Sequence, residues 1–181
     1  MKTPQHYPAP AMVIHWVTAL LVLTALPLGI YMSDLSLSPF KLKLIAYHKW
    51  IGVTVLLLFV PRLLSRLTQP HPSSVAGPDW QRKAAAMTHG VLYLLLLAIP
   101  VTGWLMSSAK GFPVVYLGLV SLPDLVAKDA ALGDLLQSVH ATLNYLLIGL
   151  LALHVVAALK HHLLDRDETL IRMLPILKRA N

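Results

Sequence analysis

Four runs of this 181-residue chain carry almost no charge, and each is long enough to cross a lipid bilayer. A hydrocarbon core of roughly 30 Å takes about 20 apolar residues in helical form. Residues 11–32 hold no charged side chain. Residues 45–64 hold Lys49 and Arg62 near the ends of the run, where long side chains can snorkel to the interface. Between Lys83 and Lys110 lie 26 uncharged residues, and between Asp134 and Lys160 lie 25. The predicted fold is all-α. It is one membrane four-helix bundle over residues 1–181, with helices at about 11–32, 45–64, 84–109 and 135–160.

Composition removes the competing classes. Only 13% of residues are charged and 56% are hydrophobic, whereas soluble globular chains average about 25% charged and disordered ones carry more. A pI near 9.8 raises nucleic acid as a partner, but such a surface gathers its Lys and Arg into a water-facing patch or stripe. Here they are scattered between apolar runs, so no nucleic acid is expected and the bilayer is the partner. The chain has no cysteine. That excludes a disulfide framework, cysteine-ligated zinc, iron–sulfur clusters, covalently attached haem and thiol catalysis.

Lys2 before the first run suggests a secretory signal, but the run exceeds a signal core of roughly 7–15 residues and no clear small-residue cleavage site follows. Four spans put both termini on one side. That side carries Lys2, Arg62, Arg66, Arg82, Lys83, Lys160, Arg166, Arg172, Lys178 and Arg179, and the other carries Lys41, Lys43, Lys49, Lys110 and Lys128. Ten basic residues against five place both termini and the 64–83 loop in the cytoplasm. Residues 33–43 form a short outer turn around Pro39. The inner loop, with Pro70, Pro72, Gly77 and Pro78, is not helical. The semi-apolar outer segment 110–133 is expected to lie against the membrane surface. The tail 161–181 mixes charge with Leu170, Ile171, Met173 and Leu174, which suits a helix lying at the interface.

Five of the nine histidines fall inside the spans: His15, His48, His89, His140 and His154. Strongly polar side chains in hydrocarbon are costly and mark functional sites by default. A single one can serve as a helix–helix hydrogen bond, but five exceed what that explains. Depth sorts them into an inner pair, His15 and His154, and an outer pair, His48 and His140, with His89 also at inner depth. His140 and His154 are 14 residues apart, about 21 Å along a helix and about 40° short of four turns, so they share a face. Zinc prefers four tetrahedral ligands, and the helix cores contain no Asp or Glu. A haem iron needs only two trans axial ligands, which imidazoles on facing helices supply. Two bis-histidine b-type haems stacked across the membrane are the economical reading. Gly29, Gly52, Gly90, Gly103 and Gly149 either let a flat macrocycle approach the backbone or serve close helix packing.

The order of short motifs resembles the bacterial cytochrome b561 family and, beyond it, the haem-bearing membrane subunits of hydrogenases and formate dehydrogenases. The matching residues are His15-Trp16, His48-Lys49 with Gly52, His89-Gly90-Val91-Leu92-Tyr93, and Thr102-Gly103-Trp104-Leu105. They continue with His140, the run from His154 through Lys160-His161-His162, Arg166-Asp167 and Arg172-Met173-Leu174. The resemblance spans essentially the whole chain. It implies a bacterial inner-membrane protein with His15 and His154 on the inner haem iron and His48 and His140 on the outer. It also implies that His89 is not a ligand but a propionate or quinone neighbour, or a helix–helix hydrogen bond. By depth alone His89 remains interchangeable with His15 or His154.

Filled iron sites disfavour oxygen binding at iron and favour outer-sphere electron transfer. The resemblance implies ubiquinone as substrate at the inner haem. His161, seven residues beyond His154 and about 20° from the same face, is the candidate proton group there with Lys160 beside it; a basic interfacial anchor is the plainer reading of both. Members of the family pass electrons from superoxide, and Lys41, Lys43 and Lys49 are candidates to steer that anion. They equally suit an acidic redox partner or the headgroup boundary. Five outer lysines against four aspartates leave only net +1, so steering would be local. Three functions compete: a stand-alone superoxide:quinone oxidoreductase, an electron-transfer subunit docked to a periplasmic dehydrogenase or hydrogenase, and a non-redox metal or proton transporter.

Overall fold

The computed structural model describes residues 6–70, 72–73 and 78–177. Lys2, Lys178 and Arg179 of the charge count, and Gly77 of the inner loop, lie outside the described residues. The helices are α1 (Ala9–Ser33), α2 (Pro39–Thr68), α3 (Asp79–Ala109) and α4 (Ala130–Leu163). All four are long and apolar enough to cross a membrane. They begin and end outside the apolar runs because capping chemistry, not hydrophobicity, sets a helix boundary. Helix α2 starts with Pro39 in its first turn, where Ser38 Oγ accepts from the Lys41 N–H at 3.2 Å. Asp129 starts α4 in the same way, accepting from the Leu132 N–H at 3.0 Å. Pro27, Pro61 and Pro100 sit inside helices, which bundles in lipid tolerate because neighbouring groups re-satisfy the backbone.

The first and last described segments meet at one end of the bundle, here the termini end. The Tyr7 N–H donates to the Arg172 carbonyl at 3.2 Å, and Trp16 Nε1–H donates to Met173 O at 2.9 Å. The tail is not the interfacial helix its composition suggests. Beyond Leu163 the described residues form turns, because the Asp165 and Asp167 N–H groups fold back onto the Lys160 and His161 carbonyls and Arg166 takes a positive φ of 52°. Through the Arg172 and Met173 carbonyls the tail is tied to Tyr7 and to Trp16 of α1.

At the opposite end, segment 110–133 folds into a turn and a short hairpin before α4. Gly111, at φ 73°, ends α3 in a conformation that suits glycine. A two-stranded hairpin follows, β1 (Val115–Tyr116) against β2 (Val120–Ser121), turned by Leu117 and Gly118, both at positive φ. Side chains of α2 and α3 hold this segment by its carbonyls. Trp50 Nε1–H reaches Val115 O at 2.7 Å, Lys49 Nζ reaches Phe112 O at 3.1 Å, and Trp104 Nε1–H reaches Pro123 O at 3.0 Å.

Helix packing is uneven. The closest pairs are α3 with α4 and α1 with α2, followed by α2 with α3, and no comparable contact joins α4 to α1 or α2 among the described residues. Facing side chains must span that gap. Val55, Leu95 and Leu147 are buried at mid-height, whereas Leu20, Leu57, Leu94 and Val156 lie exposed on the outside. Such a surface would be an aggregation liability in water and is the expected lipid face in a bilayer.

Candidate functional site

The gap beside α4 is spanned at two heights by histidine pairs. Near the hairpin end, His48 of α2 faces His140 of α4, with ring centres 6.3 Å apart and planes at 81°. Each ring rests on a glycine. A Cβ on Gly29 would lie 3.1 Å from His48 Cε1, and one on Gly103 would lie 3.1 Å from His140 Cε1. A side chain at either position would press on the ring, which would have to give by a few tenths of an ångström. His140 Nδ1 meets the Ile99 carbonyl, one turn before Gly103, at 3.1 Å, and Thr102 Oγ1 at 3.2 Å. A carbonyl accepts only, so Nδ1 carries the proton and Nε2 keeps its lone pair for a ligand.

Near the termini end, His15 of α1 faces His154 of α4, with ring centres 6.4 Å apart and planes at 57°. His89 of α3 adds a third imidazole, centred 5.3 Å from His154. Arg62 corrects the sequence reading. Its side chain does not snorkel outward but turns into the bundle, 2.9 Å from His15 Nδ1 and over the Tyr93 ring at 5.3 Å from its centre. Pro61 precedes it, and the rest of α2 to Thr68 lies beyond it towards the interface. That placement, a charge well inside the helix end, was the available signal.

The spacing of both pairs can be tested against a bound metal. With a metal–imidazole bond of about 2 Å and a ring centre about 1.1 Å behind its nitrogen, two imidazoles in line on one ion have centres about 6.2 Å apart. Both pairs have about that centre-to-centre spacing, and neither includes a carboxylate or a thiolate. The donor set and the cradling glycines fit a planar macrocycle held through two axial histidines. Among the described residues, the one group of three metal-capable side chains with donor atoms within 4.8 Å is His161, Asp165 and Asp167. His15, His89 and His154 do not converge in that way. An added Cβ at Gly52, Gly90 or Gly149 meets no atom within 4 Å, so those three do not cradle a histidine as Gly29 and Gly103 do.

Sequence reasoning found His161 and Lys160 but missed their partners. His161 Nδ1 lies 2.7 Å from Asp167 Oδ2 and 3.0 Å from Asp165 Oδ2, and Lys160 Nζ lies 2.7 Å from Asp165. The i,i+4 spacing from His161 to Asp165 was the readable signal. Burial raises the Asp167 carboxyl, but hydrogen bonds from Thr169 and His161 outweigh it and hold the group below the usual carboxylate range. Of the outer lysines, Lys41 and Lys49 direct their ammonium groups at backbone carbonyls, and Lys43 is exposed.

The family model for prokaryotic cytochrome b561 matches residues 6–175. The chain is 35% identical to cytochrome b561 homolog 2 of Escherichia coli (strain K12), over 96% of this chain and 93% of that protein. It is 32% identical to the probable superoxide oxidase CybB of Yersinia pestis, over 90% of this chain and 92% of that one. A third relative, cytochrome b561 homolog 1 of E. coli (strain K12), is 34% identical over 71% of this chain and 73% of its own length. Four membrane-length helices and a match over nearly the whole chain lead to one conclusion: this protein belongs to the prokaryotic cytochrome b561 family, as a b-type haem-binding, multi-pass electron-transport protein of the bacterial inner membrane.

Proposed function

We propose that the chain is a di-haem cytochrome carrying electrons from periplasmic superoxide to ubiquinone. The observation that carries this reading is the pair of facing imidazoles at each end of the bundle, both spaced for one metal ion. His48 and His140 hold the iron near the hairpin end, His15 and His154 the iron near the termini end, and the positive-inside count puts the termini end in the cytoplasm. When bound, the haems supply one-electron chemistry at two depths. Buried Val55, Leu95 and Leu147 fall between the two levels and keep that stretch apolar. With both histidines of a level engaged, a bound haem would take part in outer-sphere electron transfer.

Two superoxide anions each lose one electron and become dioxygen; one quinone takes up both electrons and two protons and becomes the quinol. His161 is the proton-delivering group of the cytoplasmic side. Asp165 and Asp167 hold its Nδ1 edge and orient the ring, with Nε2 turned away from both carboxylates. Lys160 is bound to Asp165 and helps to hold that carboxylate. His89, against His154, is a neighbour of the site and not an iron ligand. The relative named as a probable superoxide oxidase supports the choice of donor.

The test is turnover by the purified chain alone, given a superoxide-generating system and a short-chain ubiquinone. Superoxide-dependent quinol formation with two haems per chain is the expected result. Two haems without turnover would move the reading to an electron-transfer subunit that needs a periplasmic dehydrogenase. No haem, after expression with adequate haem supply, would move it to a metal or proton transporter.

A further inference from the structure

Arg62 is a cation turned into the bundle without a carboxylate. Helices α1 and α2 contain no Asp or Glu. At the termini end the described acids are all engaged: Asp79 with Arg82, Asp165 with Lys160 and His161, Asp167 with His161, and Glu168 with Arg172. Arg62 instead has the Tyr93 ring and one nitrogen of His15, and its Nε is buried with no hydrogen-bond partner. A guanidinium is donor-only, so His15 Nδ1 must accept from it, and the ring proton must then sit on Nε2. A neutral histidine that binds metal through Nε2 has its proton on Nδ1. Ligation by His15 and the contact with Arg62 therefore exclude each other. A haem that takes His15 removes an acceptor from Arg62 and brings two carboxylates of its own.

We propose that Arg62 is the counter-cation of a propionate of the haem held by His15 and His154, released from His15 when that haem binds. The assignment rests on the ligand pairs given under the proposed function. Arg62 is thus a haem-binding residue on a helix, α2, that supplies no ligand to that haem. The same cation favours the reduced, more negative haem and raises its midpoint potential.

The experiment uses the full chain carrying His48→Ala, which retains only the termini-end haem, with Arg62, Arg62→Lys or Arg62→Gln. Each apoprotein is titrated with haem and with haem dimethyl ester, whose propionates are neutral, and each haem complex is then titrated electrochemically. With Arg62, the ester should bind roughly tenfold to a hundredfold more weakly than haem, the range for charge-assisted hydrogen bonds. Arg62→Gln should abolish that discrimination and lower the midpoint potential, and Arg62→Lys should keep most of both. Equal discrimination with Arg62 and with Arg62→Gln, or an unchanged potential, would overturn the proposal. In the otherwise native chain the hairpin-end haem is the internal control for folding, since Arg62→Gln should leave its potential unchanged. Retention of both haems by His15→Ala would instead overturn the ligand pairs, and the role of Arg62 with them.

Discussion

The two histidine levels have nearly the same ring spacing, 6.3 and 6.4 Å, and very different surroundings. At the hairpin end each ring lies on a glycine, and His140 bonds to a backbone carbonyl and a threonine hydroxyl. Those neighbours are neutral and rigid. At the termini end a guanidinium, a third imidazole and a tyrosine ring crowd the pair. Both levels present a pair of histidines, so under the proposed di-haem reading potential and proton coupling are set by what stands behind them. In the proposed reading the hairpin end holds a haem and passes an electron. The termini end adds fixed charge and, one helical stretch further on, an imidazole held by two carboxylates. On the proposed function, electron transfer uses both levels, whereas quinone reduction needs protons at only one.

The largest effects should come from removing a ligand. His48→Ala or His140→Ala should leave one haem per chain, and so should His15→Ala or His154→Ala, each losing the haem of its own level. Site-resolved spectra and pyridine haemochrome counts check this, and a chain that keeps two haems breaks the pair concerned. His89→Ala, at the same level as His15, should retain two.

His161→Ala separates chemistry from cofactor binding at the termini end. It should lower quinone reduction by about a hundredfold, the lower range of general acid–base catalysis, with both haems in place. Asp167→Asn should cause a smaller loss of the same kind. Normal quinone turnover in both variants would strip that end of its proton role.

The hairpin end responds to bulk instead. Gly103→Val puts side-chain atoms where a Cβ already approaches His140 to 3.1 Å, and overpacking of that kind costs about 1–3 kcal/mol. The expected result is a lower occupancy or shifted spectrum of the hairpin-end haem, with the termini-end haem unaffected. Equal effects on both would show that the glycine serves general packing.

The smallest effect is on pH dependence. The Asp167 carboxyl is held below its unfolded value, so it adds stability to the docked tail above the ordinary carboxylate range of about pH 4. That contribution is lost as pH falls through the lowered folded value. The fluorescence of Trp16, whose indole bonds to Met173 of the tail, should report undocking on acidification. Asp167→Asn should remove that acid-dependent step.

Much of this is legible in the residues because a bilayer imposes simple rules. Apolar runs show the spans directly, and a histidine in such a run stands out against a background that excludes it. The partners of Arg62 are not legible. Its inward turn depends on the rotation of α2 against α1, which brings residues 47 positions apart into contact and which no local pattern encodes. The tail departs from its sequence pattern for a related reason. Leu170 to Leu174 suits an interfacial helix, but the positive φ at Arg166 and the backbone bonds returning to Lys160 and His161 redirect it. Gly29 and Gly103 are visible as glycines, while their task depends on which imidazole arrives opposite.

The most direct measurement is a reduced-minus-oxidised optical spectrum of the purified chain with a pyridine haemochrome count. Two b-type haems per chain with low-spin, bis-imidazole bands are the expected result. A single haem would contradict the two-level arrangement, and none would contradict the assignment of the four histidines altogether.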